Sequence, residues 1–155
     1  MRYQRGSWHR PFGELDGRGE GLGFGVGSGR VSGEIEGELT WANYPRRRQD
    51  GVWTPNLRGV ITSRGGDEVL AAVHGQSVQI TGGEARAILA RVELTTEAAR
   101  WRWLNTCFLI GEGAIDEERE EWWLDVYVCV NEQVQAPPAI GEEPPERFRQ
   151  GGHSM

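Results

Sequence analysis

Residues 34–43 read EIEGELTWAN, and this alternation predicts a β-strand with one hydrated face and one buried face. The carboxylates share the first face, at Glu34, Glu36 and Glu38. The second face carries Ile35, Leu39, Trp41 and Asn43. Because ionised carboxylates stay in water, we expect Trp41 and Asn43 to point into the interior of the protein.

The rest of the chain is also strand-like. Apolar residues are rarely sustained at helical spacing, because glycine interrupts the pattern. The segments with strand length and composition are Leu57–Ser63, Glu68–Val78, Arg86–Thr95, Trp101–Ile110 and Trp122–Asn131. One or two weaker strands fit between Trp8 and Val31. About eight strands can close a sheet around one small ligand. The sequence therefore predicts an all-β fold, namely a single closed antiparallel β-barrel.

Composition indicates one domain followed by a tail. The chain has 155 residues, which is the size of a single domain. Beyond residue 132, Gln, Glu, Pro and Gly replace most apolar residues, and too little surface remains to offset the entropy of ordering. We expect a β-barrel domain at residues 1–132 and a flexible Pro- and Glu-rich tail at 133–155. The glycine-dense stretch Gly13–Gly37 fits no phosphate-loop spacing, so we interpret it as bends in the barrel wall.

The charge of the protein argues against a nucleic-acid partner. The net charge is -6, whereas phosphate contact requires a basic surface. The one basic run is Arg46–Arg48, which we interpret as a solvated loop, with a local anion site as the alternative. No stretch is apolar for long enough to cross a bilayer, and no apolar block follows the first arginines. We expect a cytoplasmic protein with no membrane partner.

Metal binding is not expected, and neither is a cofactor. His9, His74 and His153 are scattered along the chain without the paired spacing of a zinc site. The acidic residues at 116–121 lack the regular oxygen spacing of a calcium loop. We interpret that acidic stretch as a solvated hairpin tip.

The two cysteines are expected to be reduced. A hairpin turning near residue 118 would place Cys107 and Cys129 roughly opposite each other, so a disulfide would depend on geometry. With no export signal visible, two buried thiols are the preferred interpretation.

Four stretches carry a resemblance to a known family. The chain reads WANYPRRRQDGVWTPNLRG at 41–59, VITSRGG at 60–66, RWRWLN at 100–105 and LDVYVCVNE at 124–132. In this order they resemble a domain-of-unknown-function family of small bacterial and fungal proteins with the allene oxide cyclase (calycin-like) barrel. The resemblance spans Gly13 to Glu132. The chain departs from the family at Trp101, where Tyr is common, and at Arg64-Gly65, where Asp-Gly is usual.

The resemblance implies a set of site residues without assigning their roles. These residues are Trp41, Asn43, Asp50, Trp103, Asn105, Asp125 and Tyr127. The wider barrel group includes an isomerase that cyclises an unsaturated epoxide, largely through the shape of an apolar cavity. Fold analogy alone is a weak argument for function.

Four residues carry candidate chemistry. His74 shares a strand face with Leu70, and an inward imidazole would suit general acid or base catalysis, although a core or outward His is the simpler interpretation. Asp125 and Tyr127 also share a face, where they would either exchange a proton with a substrate or hydrogen-bond each other. An inward Arg58 would anchor a carboxylate, whereas an outward one would pair with a surface Glu.

These observations lead to three hypotheses about function. The first is a small-molecule isomerase or cyclase in which Trp41, Asn43, Arg58, Trp103 and Asn105 bind the ligand. Asp125, Tyr127 or His74 would then move a proton. The second is a carrier that binds the same kind of small apolar molecule unchanged, for which a cavity without titratable side chains would be the sign. The third is a structural homo-oligomer whose barrel is filled by its own side chains. An outward Trp from the adjacent pair Trp122-Trp123 would favour an oligomer contact, with a homodimer as the expected form.

Overall fold

The computed structural model describes residues 2–3, 8–13, 20–83, 85–116, 119 and 121–130, with side chains described from residue 20 onward. Within these ranges the strands form one antiparallel sheet. They are β1 (Arg2–Tyr3), β2 (Trp8–Gly13), β3 (Gly21–Val31), β4 (Gly37–Asn43), β5 (Arg46–Arg47), β6 (Trp53–Thr54), β7 (Asn56–Ser63), β8 (Glu68–Gln79), β9 (Arg86–Thr95), β10 (Phe108–Asp116) and β11 (Glu121–Cys129). A 3-10 helix, η1 (Ala99–Thr106), precedes β10.

The sheet follows a partial ring. Hydrogen bonds join β3, β4, β7, β8, β9, β10 and β11 in that order, each strand antiparallel to the next. The short strand β1 pairs with β11 through Arg2↔Trp123 and with β3 through Tyr3↔Gly29. Strands β5 and β6 link β3 to β8 beyond the end of the β4–β7 pair. The all-β prediction is therefore confirmed.

One face of the sheet, which we call the core face, is packed with apolar side chains. The most deeply buried of them are Leu39, Ile61, Val69, Val92, Leu109 and Leu124. All six belong to a single cluster that draws side chains from β4, β7, β8, β9, β10 and β11. The opposite face, which we call the open face, points away from this cluster. Because side chains alternate along a strand, the core face determines which residues reach the open face.

The strand at 34–43 has the orientation that its alternation predicts. Leu39 and Trp41 are buried, whereas Glu34, Glu36 and Glu38 are exposed. Regular pairing begins only at Gly37, two residues after the predicted start at Ile35. The predicted strands at 57–63, 68–78 and 86–95 match β7, β8 and β9 within one residue at each end.

The predicted strand Trp101–Ile110 is wrong over its first half. Residues Ala99–Thr106 form η1, and the strand begins at Phe108. Trp101 and Leu104 are the buried residues of η1. They lie three positions apart, which places both on one side of a helix with three residues per turn. The period-two arrangement of Trp101 and Trp103 resembles a strand, and this explains the error.

Arg100 attaches η1 to the hairpin that joins β7 and β8. Its guanidinium lies 2.6 Å from the Asp67 carboxylate and 3.9 Å from the centroid of the Trp101 ring. It also donates to the Ser63 hydroxyl at 3.3 Å. The hairpin turns at Gly66, whose φ of 86° is a backbone conformation that suits glycine. Among the described residues, no helix is long and apolar enough to span a bilayer.

Glycine permits a very close approach of β8 to β9. At Gly75, an added Cβ would lie 2.1 Å from the Leu89 carbonyl oxygen and 2.5 Å from the Ala90 Cα. Backbone atoms cannot move away as a flexible side chain can, so any larger residue would push the two strands apart. Within the glycine-dense stretch that the sequence analysis singled out, Gly37 is in the same situation, since an added Cβ would lie 2.2 Å from the Thr62 carbonyl oxygen.

Gly75→Ala should therefore destabilise the protein by about 1–3 kcal/mol, the usual cost of overpacking. Gly83→Ala is the matched control, because a Cβ added at Gly83 would lie 3.9 Å from its nearest neighbour, the Ala85 nitrogen. Urea unfolding followed by tryptophan fluorescence measures both changes. Equal stability of the two variants would contradict the close approach.

Candidate functional site

A groove with a volume of about 590 Å³ lies on the open face of β4, β7, β8 and β9. Two cross-strand rows of side chains line it. One row runs Thr40, Val60, Leu70, Thr95, and the other runs Ala42, Arg58, Ala72, Glu93. We call this depression the outer groove. It lies on the face opposite to the core, and not in the interior that the sequence analysis expected.

The floor of the outer groove is apolar and includes small side chains. Ala42 and Ala72 flank Arg58 in the ladder, so no bulky side chain stands beside the guanidinium within its row. Leu70 is 58% exposed although it is a large aliphatic residue. Thr40 and Thr95 provide hydroxyl groups at the ends of the Leu70 row. An apolar floor with a few polar groups at its edge is typical of small-molecule sites.

Arg58 is held at the edge of the groove without a carboxylate partner. Leu57 and Ile61 are buried on one face of β7, so Arg58 lies on the other face and points outward. Its Nη1 atom donates to the Leu57 carbonyl oxygen at 3.1 Å and contacts His74 Nε2. A guanidinium has only donors, so His74 Nε2 must accept, which leaves the proton of a neutral imidazole on Nδ1. Among the described residues, no Asp or Glu oxygen lies within ion-pair distance of Arg58.

The proposed proton-transfer residues do not converge. His74, Arg91, Ile110 and Tyr127 form one ladder row on β8, β9, β10 and β11. His74 and Tyr127 are thus three strand spacings apart, which is about 14 Å between their backbones. Asp125 lies beside Tyr127 on the open face and is exposed. The structure therefore separates His74 from the Asp125 and Tyr127 pair.

Asp125 and Tyr127 belong to an acidic cluster with Glu112. Glu112 and Asp125 are directly opposite each other in the β10–β11 ladder. The Tyr127 hydroxyl donates to Glu112 Oε1 at 3.3 Å. Desolvation, followed by repulsion from Glu112, the hydrogen bond to Glu112 and repulsion from Asp125, raises the pKa of the Tyr127 phenol. The phenol is therefore protonated at neutral pH and is a poor general base.

Trp41 and Asn43 lie on the core side of β4, as predicted. Trp41 is 6% exposed, and its ring packs against Trp122 with centroids 6.1 Å apart. The Asn43 Oδ1 atom accepts a hydrogen bond from the Asn56 backbone nitrogen at 2.9 Å. Trp41 thus contacts β11 across the core, and Asn43 holds β4 to the start of β7. Trp41 lines the outer groove between Thr40 and Ala42, whereas Asn43 is not among the lining residues. Their predicted role as ligand contacts stays a prediction.

Trp103 and Asn105 lie in η1 and not on a strand. Trp103 packs against the edge of the core. The Asn105 amide binds the backbone of Thr96, accepting from its nitrogen at 2.8 Å and donating to its oxygen at 3.0 Å. This pair of bonds fixes the connection between β9 and η1. Sequence reasoning placed both residues on a barrel wall because it took this segment for a strand.

Several smaller predictions can also be placed. Asp50 lies in the turn before β6, where it pairs with Arg48 at 2.6 Å. Arg46 pairs with Glu20 at 2.9 Å. Trp123 is 41% exposed while Trp122 packs on the core, so one Trp of the pair faces outward as predicted.

The remaining predictions concern ligands, termini and thiols. Strand β10 ends at Asp116 and β11 begins at Glu121, so the chain reverses between them, close to the predicted position. Within the described ranges, no three His, Cys, Asp or Glu side chains are grouped closely enough to hold a metal ion. The side chain of His9, together with His153 and the predicted tail at 133–155, lies outside the described residues.

Both cysteines are free thiols. Phe108 pairs with Cys129, so Cys107 lies one residue out of register with it. Cys107 is half-buried, donates to the Trp103 carbonyl oxygen at 3.3 Å, and has its pKa raised by burial. Cys129 is exposed, so the expectation of two buried thiols is wrong for that residue. Its position on β11 places it on the open face.

Sequence reasoning missed most residues of the outer groove. Val60 shares a strand face with Arg58, and Leu70 and Ala72 share one with His74, but the sequence analysis left the direction of both faces open. The signal that could have indicated the buried face is the alternation of residue types along β8. Val69, Ala71 and Val73 form the more uniformly aliphatic face of β8, and this face is the buried one. Leu70 therefore lies on the exposed face of β8.

The raised pKa of Tyr127 gives a pH-dependent prediction. Glu112→Gln removes the charge that opposes ionisation, so the pKa of Tyr127 should fall toward the ordinary value of about 10. The folded state raises the pKa of Tyr127 above its value in the unfolded chain. The protonated phenol therefore stabilises the folded state at any pH below the unfolded pKa. This contribution is lost as the pH rises through the folded pKa. Phenolate absorbance, taken as the difference from Tyr127→Phe, measures this. An unchanged pKa in Glu112→Gln would contradict the contact.

Comparison with known proteins supports the fold alone. No protein-family model matches the chain, and no curated protein matches it. One similar solved structure is that of the conserved protein of unknown function RPA1785 from Rhodopseudomonas palustris. The two structures superpose with a TM-score of 0.66, covering 82% of this chain and 92% of the other at 17% sequence identity. The architecture is therefore one that this chain has in common with a second protein of unknown function.

Proposed function

We propose that this protein binds a small, largely apolar molecule in the outer groove and does so without converting it. The observation that carries the proposal is the combination of an aliphatic floor with a guanidinium at its edge, Arg58, that forms no ion pair with a described carboxylate. Leu70, Val60 and the two alanines supply the apolar contact. Arg58 supplies a charged donor for an acidic or carbonyl oxygen of the ligand.

The size of the outer groove supports a small ligand. Its volume of about 590 Å³ lies within the range of roughly 300–1,000 Å³ that small-molecule sites occupy. The packing of the core face supports the same location for the ligand, because Leu39, Ile61, Leu109 and Leu124 fill that side of the sheet. A ligand the size of a fatty acid or small terpenoid would find more room on the open face than inside.

Binding is favoured over catalysis because the ionisable side chains that line the groove are already engaged, Arg58 with His74 and Glu93 with Arg91 at 2.8 Å. His74 faces the same side as Arg58 but accepts its hydrogen bond, and Asp125 with Tyr127 lies on the far strands. The alternative is a cofactor-independent isomerase or cyclase that uses His74 with Arg58. It would require His74 to exchange its present hydrogen bond for one to the substrate.

The second candidate function is that of a structural homo-oligomer with a filled barrel. The close packing of the core face favours it. We also infer that the partial ring closes as a barrel of the allene oxide cyclase type, which the pairing of β1 with both β11 and β3 supports. A cytoplasmic location, with no membrane or nucleic-acid partner, completes the proposal.

Two fluorescent probes test the outer groove. Anilinonaphthalenesulfonate is an apolar anion, and phenylnaphthylamine is its uncharged counterpart. Leu70→Asp should abolish binding of both, because it places a carboxylate on the apolar floor. Arg58→Gln should weaken the sulfonate by about tenfold, the effect of losing one charge-assisted hydrogen bond, and leave the neutral probe nearly unchanged.

Leu22→Asp provides the matched control. The exposed fraction of Leu22, 56%, is similar to the 58% of Leu70. Leu22 lies on β3, however, outside the groove. Probe binding in this variant should equal that of the wild type. The proposal is refuted if Leu70→Asp binds both probes as the wild type does, or if Leu22→Asp loses binding equally.

A further inference from the structure

The guanidinium of Arg58 has one edge without a partner where it borders the outer groove. Its Nη1 atom is occupied, because it donates to the Leu57 carbonyl oxygen at 3.1 Å and contacts His74 Nε2. Among the described residues, no acceptor engages Nε or Nη2 of Arg58. These two nitrogens form the side of a guanidinium that can bind both oxygens of a carboxylate in parallel. We call this side of Arg58 the free edge.

The contacts of Nη1 also limit how the guanidinium can turn. Leu57 precedes Arg58 on β7, and His74 lies on the adjacent strand β8. The same nitrogen is therefore held from two strands. A side chain that is oriented before binding loses less conformational entropy when a ligand arrives. The free edge is thus a preorganised donor pair.

The charges around the free edge match a ligand with a single negative charge. Arg58 and Glu93 stand on either side of Ala72 in one ladder row, and Arg91 pairs with Glu93 at 2.8 Å. His74 accepts from a guanidinium, so its imidazole is neutral in this arrangement. Two guanidinium groups and one carboxylate leave one positive charge in excess. A monoanion neutralises it, whereas a dianion would add negative charge near Glu93.

An apolar path leads away from the free edge. Ala72 lies beside Arg58 in its ladder row, and Val60 pairs with Leu70 in the neighbouring row of the groove. Rows on one face of a sheet are about 7 Å apart along the strands. A ligand with its carboxylate at Arg58 can therefore place an apolar body over Ala72 and Leu70.

We propose that the ligand of the outer groove is a monocarboxylate with an apolar body, and that Glu93 selects against dianions such as phosphate monoesters. The carboxylate binds the free edge of Arg58, and the apolar body covers Ala72 and Leu70. This inference rests on the proposed function, because it names the class of ligand for the same groove. Glu93 determines specificity through charge repulsion, which disfavours the wrong ligand without improving contacts to the right one.

Displacement of phenylnaphthylamine by three eight-carbon compounds tests the headgroup. Octanoate, octanol and octyl phosphate are compared below their micelle-forming concentrations and at about pH 8, where a phosphate monoester is largely dianionic. Octanoate should displace the probe from the wild type at about tenfold lower concentration than octanol, the effect of a charge-assisted hydrogen bond. Arg58→Gln should remove this advantage. Arg64→Gln is the matched control and should keep it, because Arg64 is 82% exposed and does not line the groove.

Glu93→Gln tests the specificity. It should raise the affinity of octyl phosphate relative to octanoate about threefold, the Coulomb effect of one unit charge about 7 Å away in water. Glu112→Gln makes the same change in net charge on β10, outside the groove. The ratio of the two affinities in this control should equal that of the wild type.

The outcomes distinguish this inference from the proposed function. If phenylnaphthylamine fails to bind the wild type, or binds Leu70→Asp equally well, the proposed function is wrong and the inference falls with it. If the probe binds as proposed but octanoate has no advantage over octanol, or keeps its advantage in Arg58→Gln, the inference alone is overturned. An unchanged affinity ratio in Glu93→Gln contradicts the role of Glu93.

Discussion

Leu39, Ile61, Val69, Val92, Leu109 and Leu124 meet on the concave side of the sheet, and the rest of the structure depends on this contact. Each strand contributes alternate residues to it, so the contact fixes the orientation of every neighbouring side chain. Trp101 and Leu104 of η1 extend the same cluster from outside the sheet. Once this side of the sheet is filled, any surface that recognises another molecule must be sought on the open face.

The glycines make this packing compatible with a strongly curved sheet. At Gly75 and Gly113, an added Cβ would lie about 2 Å from a carbonyl oxygen of the adjacent strand, at Leu89 and Trp123 respectively. A side chain at either of these two positions would push the adjacent strands apart. The core face is otherwise filled by aliphatic residues such as Leu39, Ile61 and Leu124.

Sequence reasoning predicted the strands well where alternation was clear. Glu34 to Asn43 is the best example, because charged and apolar residues cannot exchange faces. It failed at Trp101 to Thr106, where a spacing of two joins Trp101 to Trp103 and a spacing of three joins Trp101 to Leu104. It also assigned Arg58 and His74 no definite face, since their strands carry aliphatic residues on both sides. The sequence of one strand does not reveal which residues of the adjacent strands lie beside a given side chain. The outer groove depends on such neighbours, because Ala42 and Ala72 flank Arg58.

The position of a bound ligand tests the account most directly. Nuclear Overhauser effects between anilinonaphthalenesulfonate and methyl groups of the protein distinguish the two faces, because the effect requires close contact. The account predicts contacts to the methyls of Leu70 and Val60 and none to those of Leu39 and Leu124. Contacts to Leu39 and Leu124 would contradict it and would place the ligand in the interior.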